Sequence, residues 1–300
     1  MSKFQIFTDS NSELSTEIRK EHHLEYVQMG VVVDGEEYPA DLDWKIYTPE
    51  EFYGWLKKGR HVKTTAVSLA EFNRAFRPFL EKGIDILYIA CSSALTASLN
   101  TCRLASEELL KEFPDRKIVG IDSLNASFCL GLMAIDATKR QDEGMSLEEV
   151  ATWVEENKLK YNFFATVETL TYMKKAGRIK GSKAFMGNIF GVKPIFISDA
   201  HGNNLGIKTV RGTKNADNAL IEDFKAVADI EAHPEIFVGQ ADCLERAQRL
   251  KERLERELPG CKVTIGTIGP IVGTTCGPGT TGIFGFGKVV TRFEGDGIKE

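Results

Sequence analysis

The sequence has little that would announce metal, redox or hydrolytic chemistry. Its six cysteines (Cys91, Cys102, Cys129, Cys243, Cys261 and Cys276) are scattered, with no Cys-x-x-Cys pair and no Cys/His cluster, which argues against a zinc site. Most lie in apolar surroundings such as "YIAC" and "FCLG" and read as reduced core thiols. Of the five histidines, only His61 falls near a motif, and no Gly-x-Ser-x-Gly elbow is present. The stretch "GIFGFGK" (Gly282 to Lys288) has the spacing of a phosphate loop, but Val289 stands where Ser or Thr is needed. The following "KVVTRF" reads as a strand, where a phosphate loop requires a helix, so an ATP site there is rejected. Positive charge is also short. Lys and Arg number 38 against 43 Asp and Glu, for a net charge of −5, which excludes a broad nucleic-acid surface. One basic stretch, "MKKAGRIKGSK" from Met173 to Lys183, stands out locally. No apolar run approaches the ~20 residues of a membrane span, and no apolar leader precedes the first strand. The expectation is a soluble cytoplasmic protein with no integral membrane segment, transient membrane contact remaining open.

What is present is an alternation of strands and helices. "FQIFT", "YVQMGVVV", "IDILYIAC" and "KIVGID" have apolar centres of the kind buried on both faces of a parallel sheet. Amphipathic stretches separate them. One is "SLEEVATWVEENK", in which Ser146 and Glu149 form a capping box. After Leu159 the pattern changes to short β-like runs: "NFFATVET", "KPIFIS", "LGIKTVR", "EIFVGQA", "CKVTIGT" and "KVVTRF". Two helices fall among them, and "DAHGNN" reads as a hairpin turn. This predicts an α/β protein of two domains: a parallel-sheet α/β domain over residues 1–158 and an α+β domain with a mixed sheet over 159–300. A cleft between them is a natural ligand site.

Three strands of the first domain end in hydroxyls. "FTDSNSEL" supplies Asp9 and Ser10, "CSSALTAS" supplies Ser92 and Ser93, and "IDSLNAS" supplies Asp122, Ser123 and Ser127. A fourth segment, "TTAVS", adds Thr64 and Thr65 before another helix. Parallel strands place their C-termini on one edge, and helix N-termini there favour an anion. Each hydroxyl taken alone is equally a helix N-cap. Asp9 and Asp122 read as braces on backbone N–H groups, having no base nearby.

These segments, with "KKAGRIKGSKAFMGNIFGVKPIF" and "IGPIVGTTCGPGTTGIFG", resemble the DegV family in order and spacing over essentially the whole chain. That family includes the fatty-acid-binding subunits of bacterial fatty acid kinase. The resemblance implies a non-catalytic carrier without a cofactor, enclosing one long-chain fatty acid. A separate ATP-binding acyl kinase would phosphorylate the carboxylate for phospholipid synthesis. By position, the carboxylate contacts implied are Thr64 or Thr65, Ser92 and Ser93, and Thr274, Thr275 and Gly277 of the Gly-Pro-Gly segment. Asp9, Ser10, Ser123 and Arg178 would support the site, and Phe163, Phe164, Phe185, Met186, Ile189 and Phe190 would line the tail tunnel. The chain departs from the family where Thr275 replaces a usual histidine, Leu95-Thr96-Ala97-Ser98 replaces Leu-Ser-Gly-Thr, Ala66-Val67 follows Thr65 where Gln-Pro follows a serine, and Ala176 replaces glycine. Thr275 donates a hydrogen bond but carries no positive charge. So the carboxylate is either held by neutral donors alone or the ligand differs. Two other readings stand beside the carrier: a hydrolase or acyltransferase using Ser92 or Ser93, and a diverged family member holding another apolar carboxylic acid.

Overall fold

The computed structural model describes residues 4–180 and 191–293. The amino-terminal half contains β1 (Phe4–Asp9), α1 (Thr16–Glu21), β2 (Glu25–Val27), β3 (Gly30–Val33), β4 (Glu36–Pro39), α2 (Pro49–Lys57) and β5 (Val62–Thr65). It continues through α3 (Leu69–Leu80), β6 (Asp85–Ala90), α4 (Ser98–Glu112), β7 (Ile118–Asp122), α5 (Ser127–Asp142) and α6 (Leu147–Asn157). The carboxy-terminal half contains β8 (Tyr161–Thr166), α7 (Thr171–Ala176), β9 (Val192–Ser198), β10 (Asn204–Arg211), α8 (Thr213–Lys225) and β11 (Glu235–Gln240). It ends with α9 (Leu244–Glu257), β12 (Lys262–Thr267), α10 (Pro270–Cys276) and β13 (Thr281–Phe286).

Strands β2-β1-β6-β7 form a parallel sheet in that order, and β4-β3-β5 a small antiparallel one. Every residue of β6 is buried, as a central parallel strand covered by helices on both faces must be. Strands β10-β9-β8-β13-β11-β12 form a mixed sheet in which only β11 and β12 run parallel. The expected α/β class, with a parallel sheet first and a mixed sheet second, is the observed one. The capping box of α6 and the hairpin between β9 and β10 also form as read.

Two strands differ from the sequence reading. "YVQMGVVV" is divided between two sheets, because backbone donors at its middle are taken by side chains. Gln28 N–H donates to Glu71 Oε1 at 3.0 Å, and Met29 N–H donates to Ser10 Oγ at 3.0 Å. With those donors spent, the chain leaves β1 and begins a new ladder at Gly30. "KVVTRF" is no strand. Lys288 and Val290 donate to Val227 and Leu159, two separate elements, so no continuous ladder is available. The strand is the preceding segment, "TGIFGF", as β13 at the middle of the mixed sheet. Gly282 and Gly285, two of the glycines with the spacing of a phosphate loop, are thus strand residues. At Gly285 an added Cβ would lie 2.6 Å from the Phe224 ring, so only glycine admits that packing.

The two halves are locked by burial and by polar ties. Phe128 of α5 stacks on Phe237 (centroids 4.9 Å apart) and meets Phe284 edge-on. Gly266 makes room for that ring, since a Cβ there would sit 2.2 Å from Phe128 Cζ. Tyr53 Oη donates to the Ile268 carbonyl at 2.6 Å, and Asn125 Nδ2 to the Tyr161 carbonyl at 2.9 Å. Asp136 accepts from Tyr161 Oη at 2.8 Å and lies 2.6 Å from His233 Nε2.

Candidate ligand-binding cavity

The mixed sheet presents opposite faces to two different cores. Phe164, Ile195 and Ile283 pack under α8 and α9 with Leu220, Phe224 and Leu250. Phe163, Phe196 and Phe284 face the first half of the chain. Between that face and the first half lies a cavity of about 680 Å³, within the ~300–1,000 Å³ range of small-molecule sites.

Its floor follows from strand alternation. Phe163, Ala165 and Val167 project into it from β8 and its extension, with Gly282 and Phe284 from β13 and Phe196 from β9. Register places Phe163 opposite Phe284, and Ala165 between Gly282 and Phe196. The small pair at the centre leaves volume that larger side chains would fill. A Cβ on Gly282 would come within 2.9 Å of the Ala165 Cβ. The remaining walls are Leu56, Leu95, Ile268, Ile271, Val272, Tyr172 and Met173, with the thiols of Cys91 and Cys276. Burial pushes the Cys276 thiol up to about 12 and Cys91 well above its ordinary value, so both stay neutral.

The rim is polar. Thr64 on β5, Thr96 in the turn after β6, and Thr274 and Thr275 on α10 line the cavity, with Arg60, His61, Lys63, Lys175 and Arg178 toward solvent. Arg60 pairs with Asp34, and Arg178 Nε donates to the Leu95 carbonyl at 2.6 Å, bracing the turn that carries Thr96. Thr274 Oγ1 donates to the Pro270 carbonyl at 2.7 Å, whereas Thr275 Oγ1 reaches the Ile271 carbonyl only at 3.4 Å. Thr275 is therefore the freer donor, because a bond that long is weak.

The remaining described residues expected at the site fall elsewhere. Thr65 alternates with Thr64 and points away, its Oγ1 3.1 Å from Glu37 Oε1. Ser92 is buried, accepts from Ala94 N–H, and lies under the β9–β10 turn, where a Cβ on Gly202 would touch its Oγ. Ser93 Oγ is bonded to the Asp122 carboxylate, which also accepts from Ser93 and Leu124 N–H groups. Gly277, at φ +78°, ends α10 and lies against the Tyr172 ring, outside the lining. Asp9 is fully buried and accepts from Cys91 N–H, Asn11 N–H and Tyr88 Oη, each at 2.9 Å. Burial raises its carboxyl above the usual range. Ser10 Oγ donates to the Ala40 carbonyl and accepts from Met29 N–H, and Ser123 Oγ donates to the Asn125 carbonyl. Asp9, Ser10, Ser123 and Asp122 thus hold the strand-tip turns behind the cavity wall. Phe164 belongs to the opposite face of the sheet, since adjacent strand residues cannot share one. Phe185, Met186, Ile189 and Phe190 lie outside the described residues. Thr96, His61, Lys63 and Ser127 at the cavity were not singled out from sequence as ligand contacts. The alternation of Phe163, Ala165 and Val167 was the available signal for the floor.

Such an arrangement defines an α/β protein with a largely apolar cavity and a polar rim between its two halves. The chain belongs to the DegV family, whose family profile matches residues 3–288. A DegV domain-containing protein of Clostridium perfringens is 33% identical over 288 residues, covering 96% of this chain and 98% of that one. A second, from Lactococcus lactis, is 29% identical over 286 residues, covering 95% of this chain and 98% of that protein. Among solved structures, a fatty-acid-binding DegV family protein from Thermus thermophilus superposes with a TM-score of 0.84 at 27% identity, covering 95% of this chain and all of that one. A DegV lipid-binding protein from Thermotoga maritima superposes at 0.81 with 25% identity, covering 96% of this chain and all of that one.

Proposed function

We propose that this protein is a fatty-acid carrier that encloses one long-chain acid and keeps its carboxylate at the rim for an ATP-dependent acyl kinase. The observation that carries the reading is a single cavity with an aromatic floor and a rim of hydroxyls and cations. Thr64, Thr96 and Thr275 would hold the carboxylate, and Lys63 and Lys175 add favourable charge around it. The tail would run over Phe163, Phe284 and Phe196. The energies agree with that division. Hydrogen bonds to a charged group contribute ~1.5–3 kcal/mol each, close to what offsets desolvation of the carboxylate. Each buried methylene contributes ~0.8 kcal/mol, so a chain of about 16 carbons supplies on the order of 12 kcal/mol before association costs. Tail length sets affinity, and the rim sets orientation. A carboxylate at the rim stays within reach of a partner's phosphoryl donor, which supports the kinase-linked role.

The hydrolase reading finds less support. Ser93 is engaged by Asp122 and Ser92 is buried, and neither hydrogen-bonds to a histidine among the described residues. Mass spectrometry of an organic extract of the purified protein is the test. A fatty acid in near-stoichiometric amount is expected, and an empty extract from a well-folded sample would overturn the carrier reading. Ser93→Ala should retain the lipid, whereas an enzyme dependent on Ser93 would lose all turnover.

A further inference from the structure

The cavity floor ends within the sheet, and chain direction shows at which end. Both elements that carry rim residues join the paired strands β8 and β13 on the same side. β8 leaves through Val167 toward α7 and the rim cations Lys175 and Arg178. β13 is entered from α10, which carries Thr274 and Thr275, by way of Thr280. Moving away from the rim, the residues that line the floor are Val167 and Thr280, then Ala165 paired with Gly282, then Phe163 paired with Phe284. Val167 to Phe163 is about 13 Å of strand. The next pair on that face, Tyr161 and Phe286, does not line the cavity. Packing fills its place. The Tyr161 and Phe286 rings meet edge-on at 5.3 Å, and Tyr161 Oη is held by Asp136, which is itself bonded to His233. Phe128 closes on Phe284 from α5, edge-on with centroids 5.4 Å apart. The floor thus passes from small residues at its middle to two rings 5.6 Å apart, backed by a packed and hydrogen-bonded layer.

We propose that the Phe163–Phe284 pair is a stop for the tail, with Phe163 as the specificity-determining residue, so that the carrier takes straight-chain acids up to a fixed length and discriminates against longer ones. This deepens the fatty-acid reading above and rests on it. A tail held by its carboxylate at the rim gains burial with every carbon until it meets the rings. One carbon more must displace a ring or draw the carboxylate off its donors. A close-packed wall resists the first, and lost hydrogen bonds oppose the second.

The test uses delipidated protein and displacement of a fluorescent fatty-acid probe by saturated acids of increasing length, from decanoic to docosanoic acid. Affinity is expected to rise about fourfold with each added methylene and to stop rising, or fall, at one length. In Phe163→Ala that break should move to acids longer by roughly two carbons or more, which take the room the ring vacates, while shorter acids bind as before. Phe163→Leu keeps an apolar side chain, guards against misfolding, and should move the break by a smaller step. A general loosening of the fold would weaken all lengths alike and leave the break where it was. That result would overturn the stop, as would a break absent from the parent or unmoved in both variants, and each would leave the carrier reading intact. Failure of every acid to displace the probe would overturn both.

Discussion

Replacing Ala165 with leucine puts the proposed tail tunnel to a quantitative test. Ala165 sits in the middle of the cavity floor, between Gly282 and Phe196, on the face that carries Phe163 and Phe284. Leucine adds three carbons, and the neighbouring Gly282 leaves the cavity as the direction in which they can go. A tail that occupied that volume loses burial of about three methylenes, or ~2.4 kcal/mol at ~0.8 kcal/mol each. That corresponds to a roughly 50-fold weaker Kd for a long-chain acid. Titration calorimetry with a series of saturated acids should show the loss for the longest chains and little change for short ones that end before the obstruction. Thermal unfolding of the ligand-free protein should change little, since the new side chain enters space that is open. Unchanged affinity for the longest acid in a folded Ala165→Leu protein would refute the placement of the tail across this floor.

Thr275→His restores a side chain that can carry positive charge at the rim. A histidine stabilised by a carboxylate has its pKa raised on binding, so the gain in affinity should be present below pH ~6.5 and fade as pH rises. A pH-independent Kd difference would count against contact with the carboxylate. Phe128→Ala removes a ring that is 1% exposed and bridges the halves of the chain. A loss of ~3–5 kcal/mol in denaturant unfolding is expected. Glu13, buried with one oxygen accepting from Gly269 N–H, is held well above the usual carboxylate range by burial. A raised folded pKa favours the folded state most below the unfolded pKa, and that contribution is lost as pH rises through the folded value. Glu13→Gln should therefore gain stability relative to the parent as pH increases above ~4.5, read from urea midpoints at several pH values. A constant difference across pH would contradict a buried ionisable Glu13.

Much of the fold was legible because its signals are local. Continuous apolar runs marked β1, β6 and β7, and Ser146 with Glu149 marked the start of α6. The misread elements were those whose hydrogen bonding is settled from far away. Glu71 and Ser10 divide the run at Gln28 and Met29 from 43 and 19 residues' distance. The glycines of β13 looked like a loop because glycine's sequence signature is the same in a turn and in a strand crowded by Phe224. The strand-tip hydroxyls were legible, but of the expected carboxylate contacts only Thr64, Thr274 and Thr275 line the cavity. Ser92 and Ser93 carry the same chemistry as Thr96, and only the turn braced by Arg178 brings Thr96 to the cavity.

The sequence by itself determined the α/β alternation, the change to a mixed sheet after Leu159 and the neighbourhood of hydroxyls at strand ends, since each depends on spacing within one segment. The tertiary structure alone decided which face of β8 is floor and which is core, and which hydroxyls line the cavity. Those outcomes turn on register and on partners such as Asp122, Glu37 and Gly202, which become neighbours only when strands pair within a sheet or, for Gly202, when the two halves pack together.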